Sequence, residues 1–129
     1  MANPNIVDVA TILGGNAGWN LSTGLTTELL SVTAEYVLKI NRIVCTNVHA
    51  TDAANLNLYV GGMGSGTTGI STTGADAAVY LAKVITVPYQ SSLVVSDTPI
   101  YLMEGDFLKG GSSAASALDL YISYETLID

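Results

Sequence analysis

Between Tyr80 and Glu125 the chain is a succession of short apolar runs, each alternating with polar positions and each halted by a turn. Leu81, Ile85 and Val87 stop at Pro88; Leu93 and Val95 stop at Ser96-Asp97; Ile100 and Leu102 stop at Glu104-Gly105-Asp106. Leu118, Leu120, Ile122 and Tyr124 then alternate with Asp119, Tyr121, Ser123 and Glu125. Successive side chains of a strand point to opposite faces, so this period of two sets one face of each run against a core and leaves the other more polar. The pattern predicts a β-sandwich or barrel.

The first half carries the same signal with interruptions. Residues 1–13 hold Pro4 and Asn5, which disfavour helix, and then Ile6, Val7, Val9, Ile12 and Leu13, an extended arm or strand ahead of Gly14-Gly15. Gly15 to Gly24 reads as a loop, with Trp19 alone between Gly18 and Asn20, and Thr26 to Val32 reads as a short strand. Tyr36 to Val48 is a long strand in which Leu38 and Ile40 share one parity while Ile43 and Cys45 share the other. Either a β-bulge near Asn41-Arg42 returns both pairs to one face, or the strand is buried on both faces. His49 to Ala54 is a turn, and Asn55 to Val60 alternates cleanly. Gly61 to Gly74 has six glycines in fourteen residues and reads as a surface hairpin tip.

The sum is an all-β chain: a jelly-roll-like antiparallel β-sandwich of about eight strands with an extended N-terminal arm, residues 1–13, and a single domain over residues 14–129. A chain of 129 residues buries enough surface to fold without a disulfide or metal. Cys45, the only cysteine, sits in Ile43-Val44-Cys45-Thr46-Asn47 and reads as a small apolar strand residue, consistent with assembly in a reducing cytoplasm.

Charge narrows the partners. The net charge is −7, and only Lys39, Arg42, Lys83 and Lys109 are basic, so no stripe exists to track phosphates and nucleic acid is not expected as a partner. No apolar run approaches a membrane span, no secretory signal is visible, and no membrane association is expected. Charged residues make up 12%, about half the usual share, with Ser, Thr, Asn, Gly and Ala in their place. Small polar residues lose little side-chain entropy when an interface immobilises them, which suits a surface packed against other protein.

Candidate chemistry is sparse. His49 is the only histidine, too few for a cupin-type metal site, and it stands without the partners of a hydrolase triad. Glu104-Gly105-Asp106 has two carboxylates at the spacing of a turn, in which Asp bonds local backbone and Gly takes a positive φ, rather than across a cleft. The Gly-rich segment lacks the Lys-Ser/Thr of a phosphate loop. No catalytic residue, cofactor or metal is expected, and the chain reads as a non-enzyme. Trp19 and Tyr59, with other tyrosines, leave open a platform for carbohydrate.

Five segments carry a likeness to a known class: Met1 to Ile12, Val37 to Val48, Tyr80 to Pro88, Pro99 to Leu108 and Leu118 to Glu125. Together they resemble small jelly-roll structural proteins of tailed-bacteriophage virions, those of marine and cyanobacterial phages above all, over nearly the whole chain except Gly61 to Gly74. The resemblance implies a capsid decoration or cement protein on the outer surface of the virion, a homo-oligomer, commonly a trimer, bound to the major capsid protein and stabilising the head shell. On that expectation Asn3, Pro4, Asn5, Ile6, Val7, Val9 and Ile12 form the capsid contact, and the Gly61 to Gly74 loop faces outward. The alternative is a tail, fibre or receptor-binding jelly-roll module in which Trp19 and Tyr59 touch glycan.

Overall fold

Two antiparallel sheets hold every strand of the computed structural model, which describes residues 11–64, 69–71 and 78–128. The strands are β1 (Thr11–Asn20), β2 (Glu28–Ser31), β3 (Tyr36–Asn47), β4 (Ala54–Gly61), β5 (Val79–Val87), β6 (Ser92–Ser96), β7 (Ile100–Leu102), β8 (Phe107–Ser112) and β9 (Leu118–Ile128). One sheet runs β1-β9-β3-β6, with β7 also on β3, and the other runs β2-β8-β4-β5. Strands β6 and β7 pair with successive parts of β3 and are two halves of one strand broken at residues 97–99. Counted so, the nine segments become eight strands in the orders 1-8-3-6 and 2-7-4-5. That is a jelly roll, each sheet drawing its strands from both halves of the chain.

The alternation read along the sequence fills the space between the sheets. Leu38, Ile40, Ile43, Cys45, Leu118, Leu120 and Ile122 come inward from the first sheet, and Leu56, Leu58, Val60, Ala82, Val87 and Leu108 from the second. The parity conflict in β3 is resolved by a bulge. Ile40 lies opposite Tyr124 and Arg42 opposite Ser123, so Asn41 is an extra residue, and Ile40 and Ile43 are both fully buried.

Two expectations change. Residues 15–20 are not loop but the second half of β1, in continuous register with β9 from Thr11↔Ile128 to Asn20↔Asp119. Glycine weakens a strand by propensity, yet here it makes room: a Cβ on Gly15 would stand 3.0 Å from the Tyr124 ring. The inward set of β5 also shifts. Leu81, Ile85 and Val87 were expected on one face, but Ala82 and Val87 are buried while Ile85 is 40% exposed. Two register shifts against β4 displace the alternation, and Val84, inside the shift between Leu56 and Leu58, has φ +53°, its N–H donating to Asn57 Oδ1 at 3.0 Å.

Deleting Asn41 removes the bulge and turns either Leu38 and Ile40 or Ile43 and Cys45 to the outer face. At roughly 1.5–3 kcal/mol for each large aliphatic side chain, the expected outcome is a chain that fails to fold or melts far below wild type. Asn41→Ala, which keeps the extra residue, should remain close to wild type. A deletion variant with an unchanged thermal midpoint would show that the bulge does not set the register.

Candidate functional site

The sandwich has two ends, one tied by the buried side chain of Asp106 and the other by that of Asn47, with buried Ser112 accepting the Ala114 N–H at the second. At the end where β1 begins and β9 finishes, Asp106 is 1% exposed. Its carboxylate accepts the N–H of Met103 at 2.8 Å and that of Ile70 at 3.1 Å, joining the β7–β8 turn to the Gly-rich β4–β5 connection. Val32 N–H donates to the Asp106 carbonyl at 3.0 Å and Gly105 N–H to the Val32 carbonyl at 3.1 Å, which brings in the β2–β3 turn. Gly105 takes φ +84°, as the turn reading required. Glu104 accepts the Glu35 N–H at 3.0 Å in the same cluster, so both carboxylates of the pair hold backbone.

At the opposite end Asn47, fully buried, donates through Nδ2 to the carbonyls of Val87 at 2.9 Å and Asp52 at 3.1 Å, and its Oδ1 accepts the His49 N–H at 2.8 Å. His49 serves the same turn: Nδ1 accepts the N–H groups of Thr51 and Asp52 at 3.2 and 3.0 Å. Among the described residues no group of three or more His, Cys, Asp or Glu side chains is placed to hold a metal ion, and no buried side-chain nitrogen or oxygen lacks a hydrogen-bond partner. Cys45 lies fully buried in β3. Burial, and secondarily the charge of Asp119, push its thiol from 9.0 to about 11.

The two residues proposed for glycan contact are on different sheets. Trp19 stands in β1 opposite Leu120, which pairs with buried Cys45, so its side chain takes the inward parity and packs against the core. Tyr59 is on the outer face of β4, in a row that crosses the whole second sheet as Glu28, Lys109, Tyr59 and Tyr80. Its ring lies 5.4 Å from that of Tyr80, while Lys83 Nζ sits 4.9 Å from the Tyr80 ring centre and Lys109 Nζ 4.4 Å from that of Phe107. Burial, then Tyr80, raise the Tyr59 phenol above its ordinary value. Each lysine is thus seated on a ring of its own sheet face.

Of the expected capsid-contact residues, Ile12 is at the start of β1 and 60% exposed, with Leu13 beside it at 52%. Asn3, Pro4, Asn5, Ile6, Val7 and Val9 lie outside the described residues. The described part of the Gly-rich connection, held by Asp106, is at the same end of the sandwich as Ile12.

A concavity among the described residues lies on the outer face of the first sheet, a shallow depression of about 390 Å³ bordered by Gly18, Trp19, Asn20, Val44, Thr46, Asp119, Leu120 and Tyr121. Gly18, without a side chain, forms its floor beside Tyr121, which is 47% exposed. Asn20 Nδ2 donates to Asp119 Oδ1 at 2.7 Å, and the hydroxyls of Thr46 and Ser92 are 2.9 Å apart. Trp19 and Tyr121 are among the aromatics the sequence offers for a platform, but Asn20, Thr46, Ser92 and Asp119 escape sequence reading, Asn20 and Asp119 being 99 positions apart and joined only by register.

No family model, curated protein or solved structure matches the chain.

Asp106→Ala leaves the N–H groups of Met103 and Ile70 without their acceptor, and an expected loss of roughly 2–4 kcal/mol follows in denaturant unfolding. Unchanged stability would mean that water replaces the carboxylate. The Cys45 thiol is raised in the folded state, so its contribution is complete below pH 9 and is lost as pH rises toward about 11, because the unfolded chain ionises first. Stability measured from pH 8 to 11 should fall less in Cys45→Ala than in wild type, and a thiol reagent at pH 8 should label only denatured protein.

Proposed function

We propose that this chain is a structural subunit of a tailed-bacteriophage virion, a decoration or cement protein that binds the major capsid protein on the outer shell and stabilises the head. The observation that carries the reading is the start of β1. It is an edge strand, paired among the described residues with β9 alone, and it presents Ile12 and Leu13 to solvent where the N-terminal segment enters. An edge strand offers unpaired backbone groups to another chain, and exposed aliphatic residues beside it supply apolar surface.

Three further features support an assembling protein. The polar side chains buried at each end of the sandwich are spent on holding loops. The exposed surface is low in charge and rich in small polar residues. The jelly roll closes its core between two sheets, leaving both outer faces and the loops free for contacts. An interface of about 1,600 Å² in total, weak in isolation, becomes effective when many copies bind one lattice. In this reading the β1-start end, with the arm, faces the shell and the Asn47 end faces outward; the described part of the Gly-rich connection is tied by Asp106 to the β1-start end, so the expectation of an outward-facing Gly61 to Gly74 loop is not kept.

Co-sedimentation with shells stripped of the protein tests the reading. Binding should saturate at a multiple of the lattice, and deletion of Ala2 to Val9 should abolish it while thermal unfolding of the domain is retained. Ile12→Asp should weaken it. Normal binding by the deletion variant would refute the role of the arm, and no binding by wild type would remove the head-shell assignment.

A further inference from the structure

On the outer face of the first sheet, register lays two dissimilar rows side by side. Asn20, Asp119, Thr46 and Ser92 pair in sequence across β1, β9, β3 and β6, a polar row spanning about 14 Å at the usual strand spacing. Two residues along each of β1, β9 and β3, Gly18, Tyr121 and Val44 make the next row, with Val94 paired to Val44 on β6. That second row is apolar, and Tyr121 and Val94 are 47% and 45% exposed. The depression of about 390 Å³ lies where the rows meet over Gly18.

We propose that this depression binds a neutral pyranose residue of a glycan. A pyranose ring has an apolar C–H face and a rim of hydroxyls, and the two rows present complements to both at about 7 Å separation along the strands. The C–H face lies on the Tyr121 ring, with Val44 beside it. Hydroxyls along one edge meet the polar row. The bond from Asn20 Nδ2 to Asp119 Oδ1 fixes both side chains, leaving Asn20 Oδ1 and Asp119 Oδ2 to accept from sugar hydroxyls; of Thr46 and Ser92, bonded to each other, one keeps a proton to donate and both keep lone pairs to accept. Orienting polar groups against one another before the ligand arrives lowers the ordering cost of binding.

Charge selects the ligand class. Asp119 is the only ionisable group bordering the depression apart from the Tyr121 phenol, and no base lines it. A phosphate, sulfate or carboxylate would meet the Asp119 carboxylate in a depression whose own lining holds no cation. A neutral polyol, rich in donors, is matched. The shallow, open shape suits a chain end or an exposed branch rather than an enclosed small molecule. Trp19 borders this depression, but its side chain packs against the core and Tyr59 lies on the other sheet, so the site is not the Trp19 and Tyr59 platform; it stands independently of the shell-binding reading.

The test uses purified full-length protein on an array of neutral oligosaccharides (glucans, galactans, mannans and N-acetylhexosamine oligomers) beside sialylated and sulfated ones, followed by titration with the strongest neutral ligand. The expected result is saturable binding to neutral glycans, weakened about tenfold or more by Tyr121→Ala and by Asp119→Ala. Tyr121→Phe, which keeps the ring, should bind within a few-fold of wild type, and Tyr59→Ala on the other sheet should be indistinguishable from it. Thermal unfolding of each variant establishes that it is folded. The proposal is overturned by absence of neutral-glycan binding in the wild type, by preference for the anionic glycans, by undiminished affinity in folded Tyr121→Ala and Asp119→Ala, or by loss of binding in Tyr59→Ala alone.

Discussion

A single extra residue in β3 sets the arrangement of the first sheet. Strands β3 and β9 are the two longest, twelve and eleven residues, and β3 also carries β6 and β7 on its other edge. Without Asn41 the alternation of β3 could serve the core with only half its length, because Leu38 and Ile40 are out of phase with Ile43 and Cys45. With it, each half of β3 faces inward and remains paired with β9, which keeps an unbroken alternation from Leu118 to Tyr124. The register of β9 then places β1, and so determines which β1 residues look outward. The polar and apolar rows that meet over Gly18 therefore descend from the same bulge that closes the core.

The two buried polar anchors divide the molecule by end. Asp106 gathers the β2–β3, β4–β5 and β7–β8 connections around the beginning of β1, and Asn47 gathers the β3–β4 turn and the end of β5 at the other. A buried carboxylate or amide that spends its hydrogen bonds on loop backbone stabilises those loops strongly in one conformation, since each lost acceptor leaves a donor unsatisfied. Such groups are not available for chemistry. The sparse acids and amides of this chain thus divide into those consumed by architecture and those, such as Asn20 and Asp119, that remain on an exposed face.

Strand period, turn chemistry and the parity break in β3 were legible because each is local. The spacing of Ile40 and Ile43 left a bulge near Asn41-Arg42 and burial on both faces as the two choices, between which the register with β9 decides; Gly105 could be read from its place between two acids, and Cys45 from its neighbours. The strand character of residues 15–20 was hidden, since Gly14, Gly15 and Gly18 argue against a strand until the Tyr124 ring that occupies the space above Gly15 is known. Trp19 drew attention as an isolated aromatic in a supposed loop, and its inward parity follows only from pairing with Leu120. The outer-face rows were illegible for the same reason. Their members come from four strands, and a one-residue slip in any pairing would scatter them.

Distance along β1 relates the two proposed surfaces. From Ile12 to Asn20 the strand advances eight residues, about 26 Å, so the exposed aliphatic start and the depression lie at opposite ends of one sheet. A subunit seated through the β1-start end would hold the depression away from the shell and leave both contacts simultaneously available. The geometry also favours weak individual affinity. A shallow site that stacks one sugar on one tyrosine holds its ligand loosely, but copies repeated on a lattice convert later contacts into intramolecular ones, raising avidity by about 10²–10⁴ where the spacing permits. A lattice of weak sites releases and rebinds one contact at a time, which permits movement over a glycan-bearing surface where a single tight site would arrest it.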